Sequence, residues 1–148
     1  MRQIKWSNIP IPQGHVIPLV IGVVFHMWRP LELWRAVWQR QILGWVLLLA
    51  GILLVFWATM TFKQMDFEKP TALMRTGPYT FSRNPMYVAW TLIYLAITLL
   101  VNTGWLFILF PVSLLIIHFY DVRREEHFLE QNFGEEYRQY RARVRRYL

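Results

Sequence analysis

Residues 41–62, QILGWVLLLAGILLVFWATMTF, carry no charged side chain from end to end. At 1.5 Å of rise per residue, a helix of this length crosses a hydrocarbon layer of about 30 Å. Its apolar residues leave no polar face for water, so the segment reads as a membrane span and not as one side of a soluble domain. That reading sets the fold class as all-α, an integral membrane bundle.

Three further apolar segments flank it, at about 15–28, 86–101 and 105–120. The first is short and contains Pro18, which is tolerable early in a helix because the first N–H groups lack intrahelical partners anyway. The last two are separated only by the turn formers Asn102, Thr103 and Gly104, and so predict a tight helical hairpin. The expected architecture is about four transmembrane helices in a single domain spanning residues 1–148. A loop at 63–85 and a tail at 121–148 complete it. In the tail, Phe128 or Leu129, then Phe133, Tyr137, Tyr140, Val144 and Tyr147, recur at mostly helical steps. This predicts a C-terminal amphipathic helix on the membrane interface, broken near Gly134, with its arginines on the other face.

The formal charge is +7. With four spans and the N-terminus inside, thirteen of the sixteen Lys and Arg fall on one side, leaving Arg29, Arg35 and Arg40 on the other. Such a bias orients loop and tail toward the cytoplasm and toward anionic lipid, in a multi-pass protein of the cell's inner membrane with both termini inside. No nucleic-acid motif accompanies the charge, and none is expected as a partner. The apolar stretch ending at His26-Met27-Trp28-Arg29 lacks the small residues of a signal cleavage site. The absence of cysteine excludes disulfides, thiolate metal sites and a cysteine nucleophile. His15 and His26 lie at opposite ends of the first span, where interfacial placement is expected, and no metal site is read. His118, inside the fourth span, is an intramembrane candidate for contact with a ligand. His127 reads as solvated. The sequence gives no sign of oligomeric state.

Two polar clusters fall at the feet of the predicted hairpin. One is RTGPYTFSRNPMYVAW (75–90); the other is Arg123-Arg124-Glu125-Glu126. The simplest account is a turn with charged anchors at the headgroups, its paired carboxylates balanced by Arg83, Arg123 or Arg124. A bound cation would satisfy the same carboxylates.

The order GPYTFSRNPMY, a hydrophobic hairpin, then REEHFLEQNFGEEYRQYRARVRRYL resembles the isoprenylcysteine carboxyl methyltransferase and phospholipid methyltransferase superfamily. These are integral-membrane enzymes that use S-adenosylmethionine. The likeness covers about residues 70–148. It implies that Gly77, Pro78 and Tyr79 shape a loop over the cofactor, and that Arg83, Asn84, Pro85 and Tyr87 stand where the family's Arg-His-Pro-x-Tyr contacts it. It also implies that Glu125 and Glu126 hold the cofactor's polar end, and it makes Arg83, Asn84 and Tyr87 the catalytic candidates. The departure is Asn84, where the family commonly has His, since Asn exchanges hydrogen bonds but does not titrate near neutral pH.

The chemistry is compatible. A glutamate pairs with an ammonium, Arg83 grips a carboxylate bidentately, and Tyr79, Tyr87 and Trp90 cover an adenine or a sulfonium. The resemblance thus implies methyl transfer to a lipophilic or lipidated acceptor reached from the bilayer, first of all a carboxylate of the isoprenylcysteine type. A membrane reductase of the sterol-reductase type using NADPH, and a non-enzymatic membrane scaffold with a degenerate cofactor site, remain as alternatives.

Overall fold

The structure is a computed structural model that describes residues 12–62 and 72–148. Expectations for residues 1–11 and for the part of the loop at 63–71 lie outside the described residues. Five α-helices follow in order: α1 (Gln13–Trp28), α2 (Val37–Phe62), α3 (Pro85–Val101), α4 (Gly104–Ile116) and α5 (Arg123–Arg143). A 3₁₀ turn, Gly77–Thr80, precedes α3, and a π-helical segment, Ile117–Val122, joins α4 to α5. The described residues form no strand, only isolated bridges between Glu32 and Thr103 and between Ser82 and Arg145.

Among the described residues two helices are long and apolar enough to cross a membrane: Val37–Thr61 in α2, and Gly104–Arg143, which runs from α4 through α5 across the kink at Gly134. Only 17% of the most apolar window of α2 is buried by the protein, which is the reverse of what a soluble core helix shows. Trp38, Ile42, Trp45, Leu49, Leu53 and Phe56 all face outward. Helices α1 and α3 are apolar but shorter, at 16 and 17 residues.

Helix α2 begins four residues earlier than the apolar run predicts, and Arg40 explains the difference. Its guanidinium Nη1 donates to the Leu99 and Leu100 carbonyls at 2.7 and 3.0 Å, at the end of α3 where the last carbonyls lack helical partners. A charge that hydropathy would exclude from the helix is therefore accommodated there through Nη1, while the Arg40 Nε is buried without a partner. The hairpin tip is as expected: Asn102 takes the left-handed conformation (φ 58) that ends α3, and α4 begins at Gly104.

The helices do not pair in chain order. Helix α2 packs along α3 and α1 along α4, whereas α3 and α4 touch little despite their short connection. Small residues at seven-residue spacing, Gly44, Gly51 and Ala58, let α2 approach α3 closely, as packing in lipid requires. A Cβ on Gly51 would lie 2.7 Å from Ile93 Cγ1 and 3.0 Å from the Ala89 carbonyl oxygen. Gly51→Leu is expected to cost about 1–3 kcal/mol by overpacking, read as a lowered melting temperature in detergent. An unchanged transition would show that the two helices are not held together there.

The start of α1 is wedged between α3 and α4. This corrects the interfacial placement expected for His15, which is 2% exposed. Its Nδ1 lies 2.6 Å from Ser113 Oγ of α4 and its Nε2 3.0 Å from Thr91 Oγ1 of α3, so both ring nitrogens have polar partners inside the bundle.

The tail differs from its prediction in two ways. Helix α5 bends at Gly134 (φ 48) as expected, but it stops at Arg143 and does not continue to Tyr147, because Val144 is extended (φ −114, ψ 133). Its apolar face is also covered by protein: Tyr137 and Tyr140 are buried with Leu73, with Leu129, Phe133 and Val144 packed around them. The residues expected to lie on the bilayer surface instead anchor the helix to the segment before the 3₁₀ turn.

Candidate functional site

The site is built where the 3₁₀ turn, the first turn of α3 and the start of α5 meet. Gly77 opens the turn with φ +58, which L side chains rarely adopt, and a Cβ there would run into Thr61 Oγ1 at the end of α2. Pro78 and Tyr79 follow, both buried, and Tyr79 packs with Ala58 and Met86. The turn is closed from the other side by Tyr140, whose hydroxyl donates to the Tyr79 carbonyl at 2.7 Å. Arg75 pairs with Glu136 of α5. Pro85 then starts α3, placing Tyr87 in its first turn.

Glu125 and Glu126 are neighbours in sequence, but successive helical residues point about 100° apart. The structure gives them different partners. Glu126 is enclosed by Arg83 and Arg146: Arg83 Nη1 lies 3.0 Å from Oε1, Arg146 Nε donates to Oε1 at 3.1 Å, and Arg146 Nη2 donates to Oε2 at 2.8 Å. The Glu126 and Arg83 side chains are 10% and 9% exposed. Arg83 Nη1 also donates to the Tyr137 hydroxyl at 3.2 Å. Arg83 was expected to grip a ligand carboxylate; here its Nη1 faces Glu126, while its Nε is buried without a protein partner.

Glu125 turns the other way, toward Tyr87, whose hydroxyl hydrogen-bonds its carboxylate. Among the described residues no arginine or histidine forms an ion pair with it. Its surface is open to solvent on one side, yet protein surrounds it closely enough that burial is the main cause pushing its carboxyl above the ordinary range. The bond from Tyr87 opposes this, and the charges of Glu126 and Asp121 add to it. Glu125 thus stands at the exposed edge of a polar cluster with Tyr87, Tyr79 and Asp121, termed the recess. Burial, then the charge of Glu125, push the Tyr79 phenol up as well, so it remains neutral.

Asp121 is the residue that motif reading missed. It lies one helical turn before Glu125, on the π-helical segment, close to the backbone of Gly14 at the start of α1. Its Oδ2 is buried without a hydrogen-bond partner. The spacing of four from Glu125 was the available signal. What could not be read is the π turn that brings this stretch to face α1 and α3; such turns recur at functional sites.

Asn84 is 5% exposed and does not face the recess alone: its Nδ2 donates to the Arg146 carbonyl at 3.0 Å. His118 is bonded to the segment after α5, with Nδ1 3.0 Å from the Tyr147 hydroxyl and Nε2 3.4 Å from Arg146 Nη1. His127 is exposed and accepts from Gln131 at 2.9 Å. The structure therefore brings Tyr79, Arg83, Asn84, Pro85, Tyr87, Glu125 and Glu126 together, with Gly77 and Pro78 shaping the turn behind them. A separate cleft of about 210 Å³, lined by Arg75, Thr80, Gln139, Tyr140, Arg143 and Val144, holds none of the acidic residues.

The described residues are helical, with two apolar helices of lipid-crossing length and a polar cluster where the 3₁₀ turn, α3 and α5 meet. The chain belongs to the phospholipid methyltransferase family, a family of membrane methyltransferases, whose match covers residues 39–136. A protein of Haemophilus influenzae (strain Rd), described as an uncharacterized protein, is 40% identical over 63 residues, covering 43% of this chain and all of that protein. No solved structure matches.

Proposed function

We propose that the chain transfers a methyl group from S-adenosylmethionine to a lipophilic acceptor delivered by the bilayer. The single observation that carries this reading is Glu125: a carboxylate inside a recess, bonded to a tyrosine and lacking a cationic partner among the described residues. Such a group is stabilised by an incoming cation, and the cofactor's ammonium is one. Asp121, held by the backbone of Gly14, adds a second carboxylate one turn before it. Members of this family generally use S-adenosylmethionine, which when bound supplies an electrophilic methyl group.

The protein's part is to hold and to dry the reactants. Glu125 would take the ammonium or the ribose hydroxyls, Tyr87 would fix the carboxylate that does so, and Tyr79 and Tyr87 offer aromatic faces to a cation. Alignment of donor and acceptor supplies much of the rate in an in-line displacement, and a site at the lipid edge removes water from the acceptor. In the arrangement we favour, α1 to α4 all span the membrane, with the recess on the cytoplasmic side.

A carboxylate acceptor of the isoprenylcysteine type is nucleophilic once ionised and needs no base. A phospholipid amine is the second reading, favoured by the carboxylate pair Asp121 and Glu125, which attracts an ammonium and could accept its proton. Radiolabelled methyl transfer to a prenylcysteine and to an ethanolamine phospholipid, run in parallel, separates the two.

Binding itself is tested by calorimetry with S-adenosylhomocysteine in detergent across pH. Because the Glu125 carboxyl lies above its unfolded value, the fold favours its neutral form. That contribution to stability is present below the unfolded carboxylate pKa and is lost as pH rises through the folded one. Ligand affinity is expected to run the opposite way, strengthening as Glu125 ionises. No binding at millimolar ligand would sink the proposal.

A further inference from the structure

We infer that Asn84 and Arg146 form a latch that seats the segment Arg145–Leu148 against the entry of α3, holds Glu126 aside, and leaves Glu125 as the carboxylate presented to the ligand. The inference rests on the reading of the recess as a cofactor site.

The backbone evidence comes first. After leaving α5 at Val144, the chain runs parallel beside Ser82, and the Arg83 N–H donates to the Arg145 carbonyl at 2.9 Å. The Arg146 carbonyl then receives Asn84 Nδ2 at 3.0 Å and Ser82 Oγ at 3.5 Å. Asn84 stands at the N-cap of α3, where an asparagine ordinarily turns its side-chain oxygen onto the helix's own N–H groups. It makes no such bond. Its amide is committed to the strap instead.

The side-chain evidence points the same way. Arg146 grips Glu126 with two nitrogens, at 3.1 and 2.8 Å, while its third nitrogen lies 3.4 Å from His118 Nε2. Tyr147 reaches His118 Nδ1 at 3.0 Å. A segment with little regular structure of its own thus ties together the entry of α3, the π turn and α5. It also neutralises Glu126 together with Arg83.

Two consequences follow. Position 84 needs a hydrogen-bond donor aimed at a carbonyl, a role that the N–H of a histidine fills as well as the amide of Asn, whereas a carboxylate does not fill it. Arg146 also shields Glu125 from the charge of Glu126. The groups facing Glu125 are Tyr87 from α3, Tyr79 from the 3₁₀ turn, Asp121 from the π segment and Glu126 beside it. Without Arg146, the less balanced Glu126 makes Glu125 harder to ionise. Arg146 is therefore a positioning residue, as is Asn84.

The experiment titrates S-adenosylhomocysteine into the purified full chain and into R146Q, R146K, N84D and N84H across pH, with thermal unfolding recorded alongside. R146Q and N84D are expected to bind about tenfold more weakly or worse, a difference of one decade or more in the dissociation constant. In R146Q the pH of half-maximal binding moves upward. R146K recovers part of the affinity because the charge remains while the fork is lost. N84H binds like the unaltered protein. R146K and N84H keep charge or donor, so they separate the latch from loss of the fold.

Affinities of R146Q and N84D within about twofold of the unaltered protein overturn the latch. So does a loss in R146Q that is equal at every pH and tracks a lower melting temperature. Failure of the unaltered protein to bind overturns the cofactor reading and the latch with it.

Discussion

Glu126→Ala is expected to destabilise the protein by about 3–5 kcal/mol, the cost of removing one partner from a buried ion pair and leaving the other uncompensated. Here two guanidinium groups, Arg83 and Arg146, would be left close together without their shared carboxylate. Arg83 is nearly buried and already carries an unpartnered Nε, so it has little water to turn to. The loss should appear as a lower melting temperature in detergent whether or not ligand is added. Because the cluster joins α3, α5 and the strap, the entry of α3 should also become open to proteolysis. A variant that melts with the unaltered protein would mean that the cluster is a surface pair of little worth.

Glu125→Gln is expected to do the opposite. Ligand affinity should fall by about 10- to 100-fold, the worth of a hydrogen bond to a charged group. Stability near neutral pH should stay level or rise, because the substitution removes a carboxylate that the fold prefers uncharged. The pH dependence of ligand binding should flatten with it. The measurement is calorimetry paired with thermal unfolding on the same preparations. If Glu125→Gln instead melts early while Glu126→Ala loses only affinity, the division of labour between the two residues is reversed from the one described above.

That division was not legible in the sequence, where the two glutamates are adjacent and equivalent. The apolar run at 41–62 located α2, the turn formers at 102–104 located the hairpin tip, and the motif order correctly joined the residues around Arg83 to the acidic pair. The expected reason was a closely packed hairpin. In the structure α3 and α4 diverge, and the clusters meet because α1 is wedged between them and α5 folds back against the 3₁₀ turn.

Other misses share one cause: hydropathy counts side chains but not their partners. Arg40 enters α2 because carbonyls at the end of α3 accept its protons, and His15 is buried because Ser113 and Thr91 meet its nitrogens. Val144 and Tyr147 fit a helical period and yet belong to an extended strap. Arg146 read as one more arginine on the polar face of the tail helix; its guanidinium is instead taken by Glu126. The strap and His15 both lie outside residues 39–136, where the family match falls.

The rod from Gly104 to Arg143 gives the recess no independent depth. The apolar half of this 40-residue helix comes to rest wherever the hydrocarbon layer holds it, and Asp121 and Glu125 are fixed a set number of turns further along. At 1.5 Å per residue, Glu125 stands about 30 Å beyond Gly104, close to the thickness of the layer itself. A thicker or thinner bilayer therefore carries the carboxylates deeper into the headgroups or further out of them. On the reading proposed above, the lipid composition of the membrane is a setting of the cofactor site as well as its surroundings.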